Sequence, residues 1–271
     1  MRLKVEEVSF DSYEAKIRGE LYIPSAERSP SLVVCHGFDK RGFRGLPLYR
    51  QLARKACERG YASLVFDFRG CGESSGKFDY GIGEQQDLRF AIDYLASRRE
   101  VFSDSIFVVG HSLGGAVALY AIQGDGRVRG LALWGTPHDH AYNVRKFIVR
   151  NRGWLSYYVF LLSSYLDVVV DMSRFFRLEV YGISLRPRYV REKMMRLNES
   201  EVVSKVGVPI LVMVGSEDKF VSVEETQILF SAAGEPKQLL IIPSMGHAFQ
   251  GKEDEVINKT IAWFDELKTK V

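Results

Sequence analysis

Cysteine is scarce in this chain: Cys35, Cys57 and Cys71 are the whole set among 271 residues. An odd, widely spaced trio builds no disulfide framework and matches no zinc-site spacing, so reduced thiols in a cytoplasmic protein are expected. Cys35 falls in an apolar run and should be packed, whereas Cys71 falls in a loop that can expose it. Charge imbalance is also lacking. The 37 Lys+Arg and 34 Asp+Glu leave a formal +3, too slight to imply nucleic acid as a partner. No apolar h-region follows MRLKVEEVSF, so no secretory signal is read there. No uninterrupted apolar run reaches the roughly 20 residues of a membrane span. The nearest approach, WLSYYVFLLSSYLDVVV from Trp154 to Val170, is broken by Ser156, Ser163, Ser164 and Asp167 and reads as a half-buried helix. Internal repeats, low-complexity linkers, nicotinamide or flavin fingerprints and phosphate-binding loops are missing too, so no cofactor is expected.

What is present alternates. KVEEVSF and AKIRGELYIP read as two strands at period two, joined near Asp11 and Ser12. SLVVCH, YASLVFDF, SIFVVG and GLALWG are short apolar runs of the kind buried on both faces of a sheet. Between them lie helical patterns at Leu48–Glu58, in GEQQDLRFAIDYLASRR and in SLGGAVALYAIQ. Strand–helix alternation predicts an α/β fold with a mostly parallel sheet of about eight strands. The alternation stops near Pro137 and resumes near Lys205 with VPILVMVG, VEETQILFSAA, KQLLIIP and EVINKTIAWFDELK. Residues 1–136 and 205–271 are therefore assigned to the core, and 137–204 to a helical cap inserted between two sheet strands.

One junction carries a chemical signal. In VVGHSLGGAVALYA, a strand ends at Gly110 and His111, Ser112 follows, and a helix begins at Leu113. Gly110-His111-Ser112-Leu113-Gly114 matches G-x-S-x-G, a motif that counts only between a strand and a helix. Such a turn strains the nucleophile's backbone and lifts its hydroxyl above the sheet at a helix N-terminus, where developing negative charge is favoured. An ordinary Gly-rich turn with a helix-capping Ser is the plain alternative. A Ser hydroxyl also needs a base. Of the five histidines, His36 follows a buried strand, His111 adjoins the Ser with its side chain directed elsewhere, and His138 and His140 are read as loop residues lacking a third metal ligand. His247, in PSMGHAF, follows the last strand on the rim where functional groups of open parallel sheets collect. Asp218, just past VPILVMVG, is the preferred orienting carboxylate, with its neighbour Glu217 as the rival.

Ser112, Asp218 and His247 in that chain order, within GHSLGG, VGSEDKFV and PSMGHAF, resemble the α/β-hydrolase superfamily over nearly the whole chain. The likeness is greatest to lidded carboxylesterases of the cinnamoyl/feruloyl-esterase-like, monoacylglycerol-lipase-like and serine-aminopeptidase-like branches. VVCHGFDK resembles the family's oxyanion turn, which implies the backbone N–H groups of Phe38 and Leu113 as donors. DFRGCGESSG, Asp67 to Gly76, resembles a structural loop beneath the site.

The resemblance implies an α/β-hydrolase fold and a cytoplasmic serine carboxylesterase acting on short-to-medium acyl or aryl esters, with no cofactor and no metal. A thioesterase, a monoacylglycerol lipase or a small-peptide or amide hydrolase would use the same triad. A non-catalytic binding protein is the remaining class. Dehalogenase and epoxide-hydrolase chemistry would need a carboxylate in place of Ser112. The partner expected is a small ester, with a homodimer left open. The cap would filter substrates with Trp154, Tyr157, Tyr158, Phe160, Tyr165, Phe175, Phe176, Tyr181 and Tyr189. It is also basic: eleven Lys and Arg stand against five Asp and Glu between Ala141 and Ser200. Those cations make either a solvated face or an attraction for anionic substrates.

Overall fold

The computed structural model describes residues 3–26, 28–168 and 178–268. Eight strands form one sheet: β1 (Lys4–Ser12), β2 (Ala15–Ile23), β3 (Ser29–Cys35), β4 (Ala62–Asp67), β5 (Val101–His111), β6 (Val128–Trp134), β9 (Ile210–Gly215) and β10 (Lys237–Ile242). Their spatial order is β1-β2-β4-β3-β5-β6-β9-β10. β2 runs antiparallel to both neighbours, and every other pairing is parallel. This is the mostly parallel, eight-stranded α/β sheet that the strand–helix alternation predicts.

The apolar runs are buried on both faces, which is why they do not alternate with polar residues. Along β3, Val33 and Cys35 enter one core, while Leu32 and Val34 enter the other. The first core is closed by α2 (Gly83–Ala96), α3 (Leu113–Ala121) and α7 (Val223–Ala232). The second is closed by α1 (Pro47–Glu58) and α8 (Glu253–Lys268). Helix boundaries follow local chemistry. Pro47 opens α1 at a position where its missing N–H costs nothing. Ser222 and Glu225 form a reciprocal capping box on α7.

Between β6 and β9 the described chain adds nothing to the sheet. It forms α4 (His140–Leu166), a two-stranded hairpin of β7 (Leu178–Val180) and β8 (Ile183–Leu185), α5 (Pro187–Glu192) and α6 (Glu199–Val202). The hairpin is a strand pair in a block read from sequence as helical. α6 packs against α3 and α7.

α4 bends at Gly153, whose φ of 79° leaves the helical region. Beyond the bend, Trp154, Leu155, Tyr158, Val159, Leu162 and Tyr165 are exposed, while Phe160, Ser163 and Ser164 are buried. The helix is half-buried as expected, but its outer face points to solvent and away from the cavity described below. Among the described residues no helix is long and apolar enough to cross a membrane. Phe175 and Phe176, together with Asp171, Arg174 and Arg177, lie outside the described residues.

All three cysteines are free and buried. Cys71 belongs to the DFRGCGESSG loop, which closes tightly on Asp67. That carboxylate accepts from the amides of Phe43 and Glu73 at 3.0 Å each and from Arg44 at 2.6 Å. A β-carbon at Gly72 would sit 2.1 Å from Asp67 Oδ2, so the loop admits only Gly there.

Candidate active site

Four loops leave the carboxyl ends of β3, β5, β9 and β10 on one rim, where open parallel sheets place their functional groups. Ser112 occupies the β5–α3 junction with φ 54° and ψ −121°, a conformation rarely adopted by residues with a side chain. Ser112 N–H donates to Trp134 O at 2.8 Å, and Gly115 N–H donates to Ser112 O at 3.0 Å, so the turn is held from both sides. The flanking glycines are required by contact. A β-carbon at Gly110 would lie 2.5 Å from Gly115 Cα, and one at Gly114 would lie 2.4 Å from Cys35 O.

Asp218 and His247 meet. His247 Nδ1 lies 2.7 Å from Asp218 Oδ2, and the second carboxylate oxygen accepts from the amides of Phe220 and Val221 at 2.8 and 2.9 Å. Because a carboxylate only accepts, Nδ1 carries a proton, and in the neutral ring that tautomer leaves the lone pair on Nε2. Glu217, the neighbouring carboxylate, is exposed. The two loops are stitched together: Glu217 N–H donates to Met245 O at 2.8 Å, and Ser244 N–H donates to Ser216 Oγ at 2.9 Å. Gly135 leaves room for the pair, since a β-carbon there would lie 3.1 Å from His247 Nδ1.

The β3 turn lies against Ser112. A β-carbon at Gly37 would be 3.3 Å from Ser112 Cβ. Phe38 follows it, and among the described residues neither the Phe38 nor the Leu113 amide donates to a backbone carbonyl. For Leu113 this is expected at the first turn of a helix.

A buried polar ladder joins this turn to His247. Gly37 N–H donates to Tyr49 Oη at 3.0 Å, and Tyr49 Oη lies 2.6 Å from His111 Nδ1. His111 Nε2 lies 2.9 Å from the carbonyl of His247. A carbonyl accepts, so Nε2 holds the imidazole proton and Tyr49 donates to Nδ1. Burial, followed by the nearby His247, pushes the pKa of His111 down to about 3. Burial raises that of Tyr49. Neutral forms of both are what the ladder needs. His36 is separate: it receives Phe68 N–H at 3.0 Å, and burial pushes its pKa down to about 4.

Ser112, Leu113, Phe38, His111 and His247 line one cavity of about 710 Å³. One wing of it is apolar and comes from the inserted block: Val144, Phe147, Val180, Leu185, Val190 and Met194. Of the cap aromatics named from the sequence, only Tyr181 is among the described lining residues, and Phe147 joins it. The wing is thus more aliphatic than aromatic. At the base of α4, Asn143 and Lys146 each donate to Phe220 O at 3.0 Å, and both contact Glu225. The start of the inserted block therefore grips the loop that carries Asp218. No cap Lys or Arg lines the described cavity wall. Lys146 pairs with Glu225, Arg188 and Arg191 with Glu192, and Lys193 with Asp79.

Sequence reasoning missed two participants. Tyr49 sits on α1, and nothing in its local pattern points to a histidine 62 residues away. His140, read as a loop residue, opens α4, lines the cavity and bonds Glu199.

Known proteins resemble this chain in sequence and in fold. YfhR of Salmonella typhimurium is 27% identical over 252 residues, covering 92% of this chain and 77% of that protein. Among solved structures, Est1E of Butyrivibrio proteoclasticus, bound to ferulic acid, superposes with a TM-score of 0.76 at 21% identity, covering 97% of this chain and 99% of that one. The Pyrococcus furiosus esterase PF2001 superposes with a TM-score of 0.71 at 18% identity, covering 98% and 91%. The sequence profile of the alpha/beta hydrolase family matches residues 32–259, most of the chain. This chain belongs to the alpha/beta hydrolase family.

Proposed function

We propose that the chain is a serine carboxylesterase that cleaves short-to-medium acyl or aryl esters through an acyl-enzyme on Ser112. The observation that carries this reading is the 2.7 Å His247–Asp218 bond on the cavity that also holds the strained Ser112. Asp218 fixes the tautomer of His247, leaving Nε2 free to take the Ser112 proton as Oγ attacks the acyl carbon. The oxyanion that forms is met by the amides of Phe38 and Leu113, preset donors that act as charge develops. His247 then gives its proton to the departing alcohol. Water, deprotonated by the same imidazole, attacks the acyl-enzyme and releases the acid.

The apolar wing under the cap suits a chain or ring, and its size sets a graded preference. One methylene in an apolar pocket is worth only about 1–3 kcal/mol, so a broad optimum is expected in place of a sharp one. PF2001 is an esterase and Est1E was captured with ferulic acid; both support an ester or its acid as the ligand class. The test is a panel of p-nitrophenyl and ethyl esters of graded acyl length, with a thioester and an aminoacyl amide included. Ester turnover that declines at long chains supports the reading. Amide or thioester turnover exceeding that of every ester would overturn it.

A further inference from the structure

We propose that His140, held by Glu199, is a specificity residue of this cavity that receives a hydroxyl group borne by the substrate. The proposal rests on the ester-hydrolase reading of the same cavity. His140, Asn143, Val144 and Phe147 lie three and four residues apart, so they share the face of α4 that lines the cavity. His140 is therefore an imidazole set beside the apolar wing of Val144, Phe147, Val190 and Met194. Its Nδ1 lies 2.7 Å from Glu199 Oε1, and Glu199 is fully buried. Glu199 Oε2 has no hydrogen-bond partner among the described residues, so His140 is the partner that fixes this carboxylate.

The chemistry of the pair determines what the cavity is offered. A carboxylate only accepts, so Nδ1 donates and the ring is locked in orientation. Among the described residues no hydrogen bond engages Nε2, the remaining ring nitrogen of a cavity-lining residue. A neutral imidazole presents Nε2 as an acceptor, and a protonated one presents it as a donor. A hydroxyl meets either form, because it donates and accepts. A carboxylate would meet only the protonated form, and an amide N–H only the neutral one. The arrangement repeats the His247–Asp218 bond, imidazole Nδ1 to carboxylate at 2.7 Å, at a second point of the same wall. Its role is recognition, and the substrate it fits is an otherwise apolar ester carrying one hydroxyl.

The test separates recognition from a structural tie. In His140→Asn the amide stands where Nδ1 was, so the bond to Glu199 is kept while Nε2 is deleted. In His140→Gln the amide reaches the position of Nε2. Matched pairs of ethyl esters, plain and terminally hydroxylated, are assayed in short and medium lengths, along with esters of plain alcohols and diols. The readout is the kcat/KM ratio of hydroxylated to plain substrate. The ratio should favour the hydroxylated partner by about tenfold in the unaltered protein, as expected for one hydrogen bond made away from bulk water. It should collapse in His140→Asn and partly return in His140→Gln. A structural tie would lower both substrates together and leave the ratio unchanged, which overturns the proposal.

Calorimetric affinities of the same ester pairs for Ser112→Ala, with and without His140→Asn, supply a readout that needs no turnover. A hydroxyl preference in binding without hydrolysis would sink the esterase reading and leave this proposal standing. Hydrolysis with no hydroxyl preference in any pair would do the reverse. Esters neither cleaved nor bound would overturn both.

Discussion

Replacing Ser112 by Gly should make the protein more stable while abolishing its chemistry. Ser112 holds φ 54° and ψ −121°, pinned by its N–H to Trp134 O and by Gly115 N–H on its own carbonyl. A residue with a β-carbon in so sparse a region costs on the order of 1–3 kcal/mol. Gly adopts the same angles freely, but it loses more freedom on folding, about 0.5–1 kcal/mol. The balance is a gain of about 1 kcal/mol for Ser112→Gly. Ser112→Ala keeps the β-carbon and with it the strain, so it is the proper reference: both variants lack the hydroxyl. With an unfolding entropy near 2 cal/mol/K per residue over a chain of this length, 1 kcal/mol raises Tm by about 2 °C. Differential scanning calorimetry and urea midpoints of the two variants measure the gap directly. If Ser112→Gly proved no more stable than Ser112→Ala, the claim that the elbow stores backbone strain would be wrong.

The triad roles give a second expectation. Ser112→Ala or His247→Ala should each lower kcat by a factor on the order of 10⁶, and Asp218→Asn by about 10⁴. Glu217→Gln, at an exposed carboxylate, should leave ester turnover near its starting value, and a crippled Glu217→Gln would reverse the acid assignment. Stability should fall on acidification between pH 6.5 and 5. His36 and His111 stay neutral in the folded chain down to about 4 and about 3, so the unfolded chain takes up two protons that the folded one refuses. Glu84, raised by burial to about 7, holds one proton in the folded state and offsets part of this. One net proton remains, or about 1 kcal/mol lost per pH unit, and a urea midpoint that rose on acidification would contradict it. Salt should leave the kcat/KM ratio of a carboxylate-bearing to a neutral ester nearly constant, because no cap cation lines the described cavity wall and exposed charges are screened within about 10 Å at 0.1 M. Arg41, which does line that wall, is paired with Asp39 at 2.7 Å, so a several-fold fall in that ratio would mean that an uncompensated cation reaches the site.

The order of core strands and helices was legible because each buried run is short, apolar and bounded by turn residues, as in SLVVCH and YASLVFDF. The Ser112 elbow was legible for a local reason too: its glycines are demanded by contacts within a few residues and with the neighbouring strand. The hairpin at Leu178–Leu185 was not, since two three-residue strands give too few positions for a period. Nor did aromatic content identify the cavity wall. Trp154, Tyr158 and Tyr165 lie beyond the Gly153 bend and face solvent, while Val144 and Phe147 lie before it and face the cavity. The division falls at Gly153, where φ 79° and ψ 170° interrupt the helix. The Tyr49–His111 ladder and the His140–Glu199 pair join residues 62 and 59 positions apart, separations at which only the folded chain brings them together.

The central claim is that Ser112 is a nucleophile activated by His247 and Asp218. Treatment with a fluorophosphonate tests it most directly, since only an activated Ser should expel the fluoride and form a bond from Oγ to phosphorus. Peptide mapping by mass spectrometry should find a single adduct, on Ser112, with its rate of formation greatly reduced in His247→Ala and reduced in Asp218→Asn. An unlabelled protein, or labelling of Ser112 at the same rate in all three proteins, would contradict the account.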